Sequence, residues 1–275
     1  MTDKYAVVGN PVAHSLSPQI HAEFARQTAQ DICYARILAP LNGFDAAIRK
    51  FAAEGGNGVN ITLPFKHDAW RLSGSLQGNA LVAEAVNTME FRDGEIIGHN
   101  TDGSGLVADL QRNLGFSLSA KRVLILGAGG AACGVMQPIL KAHPDSLVVA
   151  NRTLAKANRM IKHFDEHSGL AVRGISARPY EELAGTQFDL VINATSAGLN
   201  DEMPPCPPDI FAEGALAYDM VYGRHTPFMK FASEHGANAC DGLGMLVEQA
   251  AEAFFIWRNV RPQTAPVIAM LRLGR

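Results

Sequence analysis

At the centre of the chain, Arg122-Val123-Leu124-Ile125-Leu126-Gly127-Ala128-Gly129-Gly130-Ala131-Ala132 runs a short apolar strand straight into a glycine-rich turn and a small-residue helix start. Strand, tight turn and helix in that order make the first half of a parallel βαβ unit whose turn can hold a phosphate. Gly127 permits the turn, and Gly129 lets the backbone approach an anion. Ala132 fills the third position of G-x-G-x-x-G/A, where a small residue allows close helix–strand packing. The helix start then offers unpaired N–H groups and its positive dipole end. Gly127, Ala128, Gly129, Gly130 and Ala131 are therefore expected to cradle a dinucleotide pyrophosphate.

One helix further on, Ser146-Leu147-Val148-Val149-Ala150-Asn151-Arg152-Thr153 reads as the second strand of that unit. Where the cofactor is NAD, an acid at the end of this strand holds the ribose 2′-hydroxyl. Asn151 and Arg152 stand there instead, and a guanidinium binds a 2′-phosphate that an acid would repel. The expected cofactor is NADP, with Thr153 adding a hydroxyl donor and Lys156 a second cation one helical turn on. Thr153 also suits the N-cap of a helix over 154–164, and the two roles can coexist.

The chain has 275 residues, 47% of them hydrophobic and 19% charged, which suits a globular protein of one large or two ordinary domains. A formal charge of −3 supplies no basic field for nucleic acid or anionic lipid, and partners of both kinds are excluded. Cys33, Cys133, Cys206 and Cys240 are scattered too widely for a disulfide framework or a C-x-x-C metal site, so the expected home is the reducing cytoplasm. The first residues lead into the strand-like Tyr5-Ala6-Val7-Val8 without the apolar core of a signal peptide. The apolar stretch from Leu243 to Trp257 is interrupted by Glu248 and Glu252 and reads as a buried helix.

Periodicity places strands at 5–9, 33–39, 57–62, 86–91 and 94–98, with helices near 18–30, 43–54 and 65–72. A helix over 103–115 leads into strands at 122–126, 146–150, 171–175, 188–193 and 215–219, separated by helices. The end of the chain is helical near 243–258 and 263–273. Each βαβ step implies a parallel strand pair, so the fold class is α/β with two α/β domains. The expected division is a catalytic domain at 1–102, a Rossmann-like domain at 103–241, and helices at 242–275 that return to the first domain. Met203 to Pro208 is a rigid proline-rich loop inside the second domain.

Polar clusters at strand ends or helix starts mark the first domain. In Gly9-Asn10-Pro11-Val12-Ala13-His14-Ser15-Leu16-Ser17-Pro18, two hydroxyls beside a helix N-terminus form a carboxylate receptor. Ser17 before Pro18 also reads as an N-cap, which leaves Ser15 unexplained. Gly58-Val59-Asn60-Ile61-Thr62-Leu63-Pro64-Phe65-Lys66 carries polar groups to the C-terminal end of a strand, where open α/β sheets bind ligands. Ala85-Val86-Asn87-Thr88 and Gly98-His99-Asn100-Thr101-Asp102 repeat the pattern, with Asp102 placed to cap the next helix.

These segments together resemble the shikimate dehydrogenase family. The matching pieces continue through Asn193-Ala194-Thr195-Ser196, Asp219-Met220-Val221-Tyr222 and Asp241-Gly242-Leu243-Gly244-Met245-Leu246-Val247-Glu248-Gln249-Ala250, collinear from residue 9 to residue 250. The resemblance implies NADPH-dependent reduction of 3-dehydroshikimate to shikimate in aromatic amino-acid biosynthesis. It implies that Ser15 and Ser17 hold the substrate carboxylate and that Asn60, Thr62, Asn87, Tyr222 and Gln249 contact the substrate. It makes Lys66 and Asp102 the catalytic pair, with the formal proton acceptor open between them. Thr195, Met220 and Gly242 would lie along the cofactor. Leu16 replaces the family's usual basic residue between the two serines, and Ile61 the common valine; neither removes a proposed catalytic group.

A quinate/shikimate dehydrogenase with broader cofactor use would be expected to carry an acid near Asn151 or Arg152. A non-catalytic NADP-binding regulator would more naturally have lost Lys66 or Asp102. His163 and His167 have the spacing of two ligands on one helix face, but His163-Phe164-Asp165-Glu166-His167 is not H-E-x-x-H, and no metal is expected. The expected partner is a small-molecule substrate, and the chain a monomer or homodimer.

Overall fold

The computed structural model describes residues 2–169 and 174–274. The chain divides into two compact units, one of Met1–Gly105 with Leu246–Arg275 and one of Leu106–Met245.

In the first unit, β1 (Asp3–Gly9), α1 (Ser17–Thr28), β2 (Ile32–Leu38), α2 (Phe44–Ala53) and β3 (Gly56–Ile61) form two successive βαβ steps. β1 pairs in parallel with β2 on one side and β3 on the other. Then come α3 (Lys66–Leu72), β4 (Ser75–Leu76), α4 (Ala80–Ala83), β5 (Thr88–Arg92) and β6 (Glu95–His99), and the sheet order is β2-β1-β3-β5-β6-β4. The sheet is mixed: its βαβ steps give the expected parallel pairs, and β5 runs the other way. β5 lies antiparallel to both β3 and β6. Asp93 and Gly94, both at positive φ, close the β5–β6 hairpin, and Asp-Gly between strands is a hairpin signal in its own right.

Val8, Val59, Ile61, Phe65, Val86 and Met89 are buried together against this sheet. Side chains of this size contribute about 1.5–3 kcal/mol each on full burial. At the C-terminal edge of the sheet, β1 and β3 each run into a cis-proline turn, at Asn10–Pro11 and Leu63–Pro64, tied by a 2.9 Å bond from Asn10 N–H to the Leu63 carbonyl.

The second unit begins at Leu106, within α5 (Asp102–Ala108), whose last turns widen into a π-helical segment at Asp109–Asn113, so the helix expected to 115 stops at 113. It continues through β7 (Arg122–Leu126), α6 (Gly130–Lys141), β8 (Ser146–Ala150), α7 (Leu154–His167), β9 (Ile175–Arg178), β10 (Phe188–Asn193), β11 (Phe211–Asp219), α8 (Pro227–Glu234) and β12 (Asn238–Asp241). Every strand pair here is parallel. The order β12-β11-β10-β7-β8-β9 is the doubly wound 3-2-1-4-5-6 arrangement, with its switch point between β7 and β10. The strand expected at 171–175 falls partly outside the described residues, and the observed one begins at Ile175. β12 is too short and polar to show periodicity.

Two helices end the chain, α9 (Leu243–Arg258) and α10 (Ala265–Leu273). In the first unit, α9 is tied to the sheet by the Trp257 indole N–H, which donates to the Met89 carbonyl at 3.0 Å, and by Arg258, which pairs with Asp3. Among the described residues no helix is long and apolar enough to cross a membrane.

Candidate active site

The first unit brings Lys66, Asn87, Asp102 and Gln249 into one hydrogen-bonded cluster, from segments as far apart as 183 positions in the chain (249 − 66). Lys66 opens α3, and the preceding Phe65 is fully buried against Phe44 with ring centroids 4.9 Å apart. That anchor sets the direction of the lysine. Its carbonyl also accepts from the Val86 N–H at 2.9 Å, binding the strand that carries Asn87 to the start of α3.

The Lys66 ammonium donates to Asp102 Oδ2 at 2.6 Å, with side-chain exposures of 19% and 7%. Asp102 does not cap α5 with its own carboxylate as expected. Asn100 Oδ1 accepts from the Asp102 N–H at 3.1 Å, and the Asp102 carboxylate is left for Lys66 and Asn87.

Asn87 is oversubscribed. Its Nδ2 faces three acceptors, Asp102 Oδ1 at 2.8 Å, Thr101 Oγ1 at 2.9 Å and Gln249 Oε1 at 3.2 Å, but carries two hydrogens. A ligand hydroxyl that donates to Gln249 or Asp102 would relieve that competition. Asn87 Oδ1 is fixed by the Thr101 N–H at 2.8 Å and the Thr88 hydroxyl at 3.1 Å. Asn60 gives its two amide hydrogens to Thr88 Oγ1 and the Asn87 carbonyl and receives the Tyr34 hydroxyl on Oδ1 at 2.7 Å. One lone pair remains for any further partner.

Ser15 donates to Ser17 Oγ at 3.1 Å, and the Ser15 carbonyl is gripped by Arg36 through Nε and Nη2 at 3.1 and 2.7 Å. Leu16, not Ser17, occupies the N-cap of α1, and no side chain caps it. Ser15 Oγ instead accepts from the N–H of Ser17, the first helical residue, at 3.3 Å, and Ser17 is buried. Thr62 follows β3 and is half-buried, its N–H bonded to the Val8 carbonyl.

Residues expected to bind the cofactor gather around the β7/β10 switch point of the second unit. Gly127 has φ +106°, and a Cβ there would sit 3.1 Å from Thr195 Cγ2, so only glycine fits the turn. Gly129 and Gly130 would meet nothing within 4 Å, and no side chain caps α6. The turn is thus open toward an anion at the helix start. Thr195 donates to Asn193 Oδ1 at 2.7 Å, and the Asn193 carbonyl accepts from the Met220 N–H at 3.0 Å. Gly242 passes so close to Met220 that a Cβ would lie 2.5 Å from its carbonyl oxygen.

After β8, the Asn151 amide donates to the Thr153 carbonyl at 2.9 Å and shapes the turn on which Arg152 is exposed. Thr153 holds the N-cap position of α7 without a side-chain cap bond, leaving its hydroxyl available. Arg152, Lys156 and Arg159 are exposed and make no salt bridge among the described residues. Arg159 was passed over in the sequence, although it lies one helical turn beyond Lys156. This donor set fits a 2′-phosphate.

Tyr222 lies on the loop after β11 in the second unit, outside the first-unit cluster. Supporting residues not singled out from the sequence are Tyr34, Thr88, Asn100 and Thr101 around the cluster, and Asn193 and Asp219 beneath the turn. Burial pushes the Asp219 carboxyl up, against hydrogen bonds from Thr226, Val221 and Asn193 that favour its charged form. Among the described residues no group of His, Cys, Asp or Glu could hold a metal, and His167 Nδ1 bonds to the His163 carbonyl at 2.8 Å.

Three family models match the chain: "Shikimate dehydrogenase substrate binding domain" at residues 7–89, "Shikimate / quinate 5-dehydrogenase" at 109–200 and "Shikimate 5'-dehydrogenase C-terminal domain" at 242–272. The chain belongs to the shikimate dehydrogenase family. A shikimate dehydrogenase (NADP(+)) of Methylobacillus flagellatus is 55% identical over 271 residues, covering 98% of this chain and 99% of the relative. An Ael1 enzyme from Pseudomonas putida superposes with a TM-score of 0.92 at 46% identity, covering 98% of each chain. The Thermus thermophilus shikimate 5-dehydrogenase in complex with NADP(H) and shikimate superposes at 0.87 with 31% identity over the full length of both chains. The expected family and two-domain α/β architecture are thereby borne out.

Proposed function

We infer that this member of the family reduces 3-dehydroshikimate to shikimate with NADPH, reversibly, with Lys66 and Asp102 handling the proton. The observation that carries this reading is the 2.6 Å Lys66–Asp102 pair set beside Asn87 and Gln249 in the first unit. NADPH, when bound, supplies the hydride. As the ketone carbon becomes tetrahedral its oxygen gains negative charge, and a positioned ammonium can both stabilise and protonate it. Lys66 is that group; in the reverse direction it takes the proton back. Asp102 aims the ammonium through Oδ2 and accepts a substrate hydroxyl.

Ser15 and Ser17 hold the substrate carboxylate through hydroxyls beside the start of α1, and Thr62, Asn87 and Gln249 order the ring hydroxyls. The open glycine turn takes the pyrophosphate, and Arg152, Thr153 and Lys156 take the 2′-phosphate, which sets the preference for NADP. All four cysteines are free thiols, in keeping with a cytoplasmic enzyme. The deciding test follows absorbance in the NADPH band with shikimate and quinate, each against NADP and NAD. Reduction of NADP by shikimate well above the other three combinations is expected; no turnover with shikimate and NADP would overturn the assignment.

A further inference from the structure

We propose that Tyr34 is a positioning residue of the substrate site, its hydroxyl holding Asn60 at the head of the Asn60–Asn87 amide chain. This rests on the substrate site assigned above. Tyr34 lies on β2, an edge strand, and its flank is partly exposed while its hydroxyl points inward. The ring is clamped by the imidazole of the fully buried His21, stacked at 4.2 Å with an interplanar angle of 6°, and by the tilted Trp257 at 6.4 Å. Such a clamp leaves the phenol little choice of direction.

The hydroxyl donates to Asn60 Oδ1 at 2.7 Å. Burial holds the phenol well above its ordinary pKa, so it remains a donor throughout the working range. That donor holds Asn60 Oδ1, while Nδ2 donates to Thr88 Oγ1 and the Asn87 carbonyl. Thr88 in turn donates to Asn87 Oδ1, whose amide faces Asp102 and Gln249. The hydroxyl thus anchors one end of a chain of amides that ends beside the Lys66 partner, with Asn87 also held by the Thr101 N–H. Two doors from it, Arg36 on the same strand fixes the Ser15 carbonyl.

Without the hydroxyl, the buried Asn60 Oδ1 loses its donor. Tyr34→Phe removes one oxygen and preserves the ring stack. The expected result is a rise of about 5- to 20-fold in the KM for shikimate, the scale of one unsatisfied buried partner. Turnover at saturating shikimate should stay within about twofold and the Kd for NADP should be unchanged, a split that a merely structural defect would not give.

Asn60→Ala cuts the same hydrogen bond from its other end and should also raise the KM; it serves if Tyr34→Phe does not fold. An unchanged KM in Tyr34→Phe or in Asn60→Ala, alongside a raised KM in Ser17→Ala, overturns the role of Tyr34 and leaves the substrate site standing. An unchanged KM in Ser17→Ala together with an unchanged KM in Tyr34→Phe removes the substrate site assigned above and this inference with it.

Discussion

Replacing Lys66 with methionine keeps most of the side-chain volume and removes the charge and all three donors. In the chemical step, the loss is that of a general acid, on the order of 10²- to 10⁴-fold in turnover. In the ground state it is smaller. Asp102 Oδ2 loses its 2.6 Å partner, but Oδ1 keeps the Asn87 amide and the carboxylate remains at the start of α5, where the helix dipole favours it. A buried charge stripped of one partner among several costs about 1–3 kcal/mol. Lys66→Met should therefore fold, with a modestly lower denaturation midpoint, and its shikimate KM should move only a few-fold. Steady-state rates at saturating shikimate and NADP, beside urea denaturation of the same preparations, separate the two effects. Near-normal turnover in an enzyme that shows the stability loss would refute the assignment: Lys66 would then be a structural cation, and proton transfer would have to be carried elsewhere.

Arg152→Ala should raise the KM for NADP by about 10- to 150-fold, the worth of a lost charge-assisted contact, and leave NAD kinetics nearly unchanged; equal weakening toward both cofactors would argue against a 2′-phosphate site. Gly127→Ala forces a Cβ to φ +106° against Thr195 and should lower stability by about 1–2 kcal/mol, together with NADP affinity measured by calorimetry. His21 is buried, and burial pulls its imidazole down to about 3, against a small opposing effect of the Asn60 side chain. The unfolded chain takes up that proton near pH 6.5 and the folded one only near 3, so stability falls by about 1.4 kcal/mol per pH unit of acidification across that window. Denaturant titrations at pH 7, 5.5 and 4.5 should show a shallower loss in His21→Phe, and identical slopes would mean that the imidazole is protonated in the fold.

The second unit was legible because its parallel strands are buried on both faces and read as unbroken apolar runs: Val123 to Leu126, Leu147 to Ala150 and Leu190 to Ile192 are all buried. The mixed sheet of the first unit was not, since hairpin and crossover strands share the same composition and only Asp93-Gly94 distinguishes them. Lys66, Asn87 and Asp102 could be picked out as polar groups after apolar runs, but their convergence is a property of the sheet order. Gln249 sits in an apolar helix with no local sign of function; only the resemblance to a family singled it out. Tyr34 was invisible for the opposite reason, because an aromatic residue on an edge strand needs no explanation until its hydroxyl is seen to have a partner. Capping was misjudged at Ser17 and Asp102, where Leu16 takes the cap position and Asn100 the capping bond.

The first unit is completed by residues from 246 onward, and Gly105 lies so close to α9 that a Cβ there would sit 2.6 Å from the Cβ of Gln249. On a ribosome moving at about 5–20 residues per second, Asn87 emerges roughly 8–32 s before the glutamine that it will face. For that interval the β2-β1-β3-β5-β6-β4 sheet has no α9 to cover it, and Leu106–Met245, contiguous in the chain, can be finished first. A chain cut short near residue 245 would then yield a folded glycine turn joined to an uncovered sheet. Quality-control proteases and holdase chaperones would meet this protein chiefly through its earliest-made half.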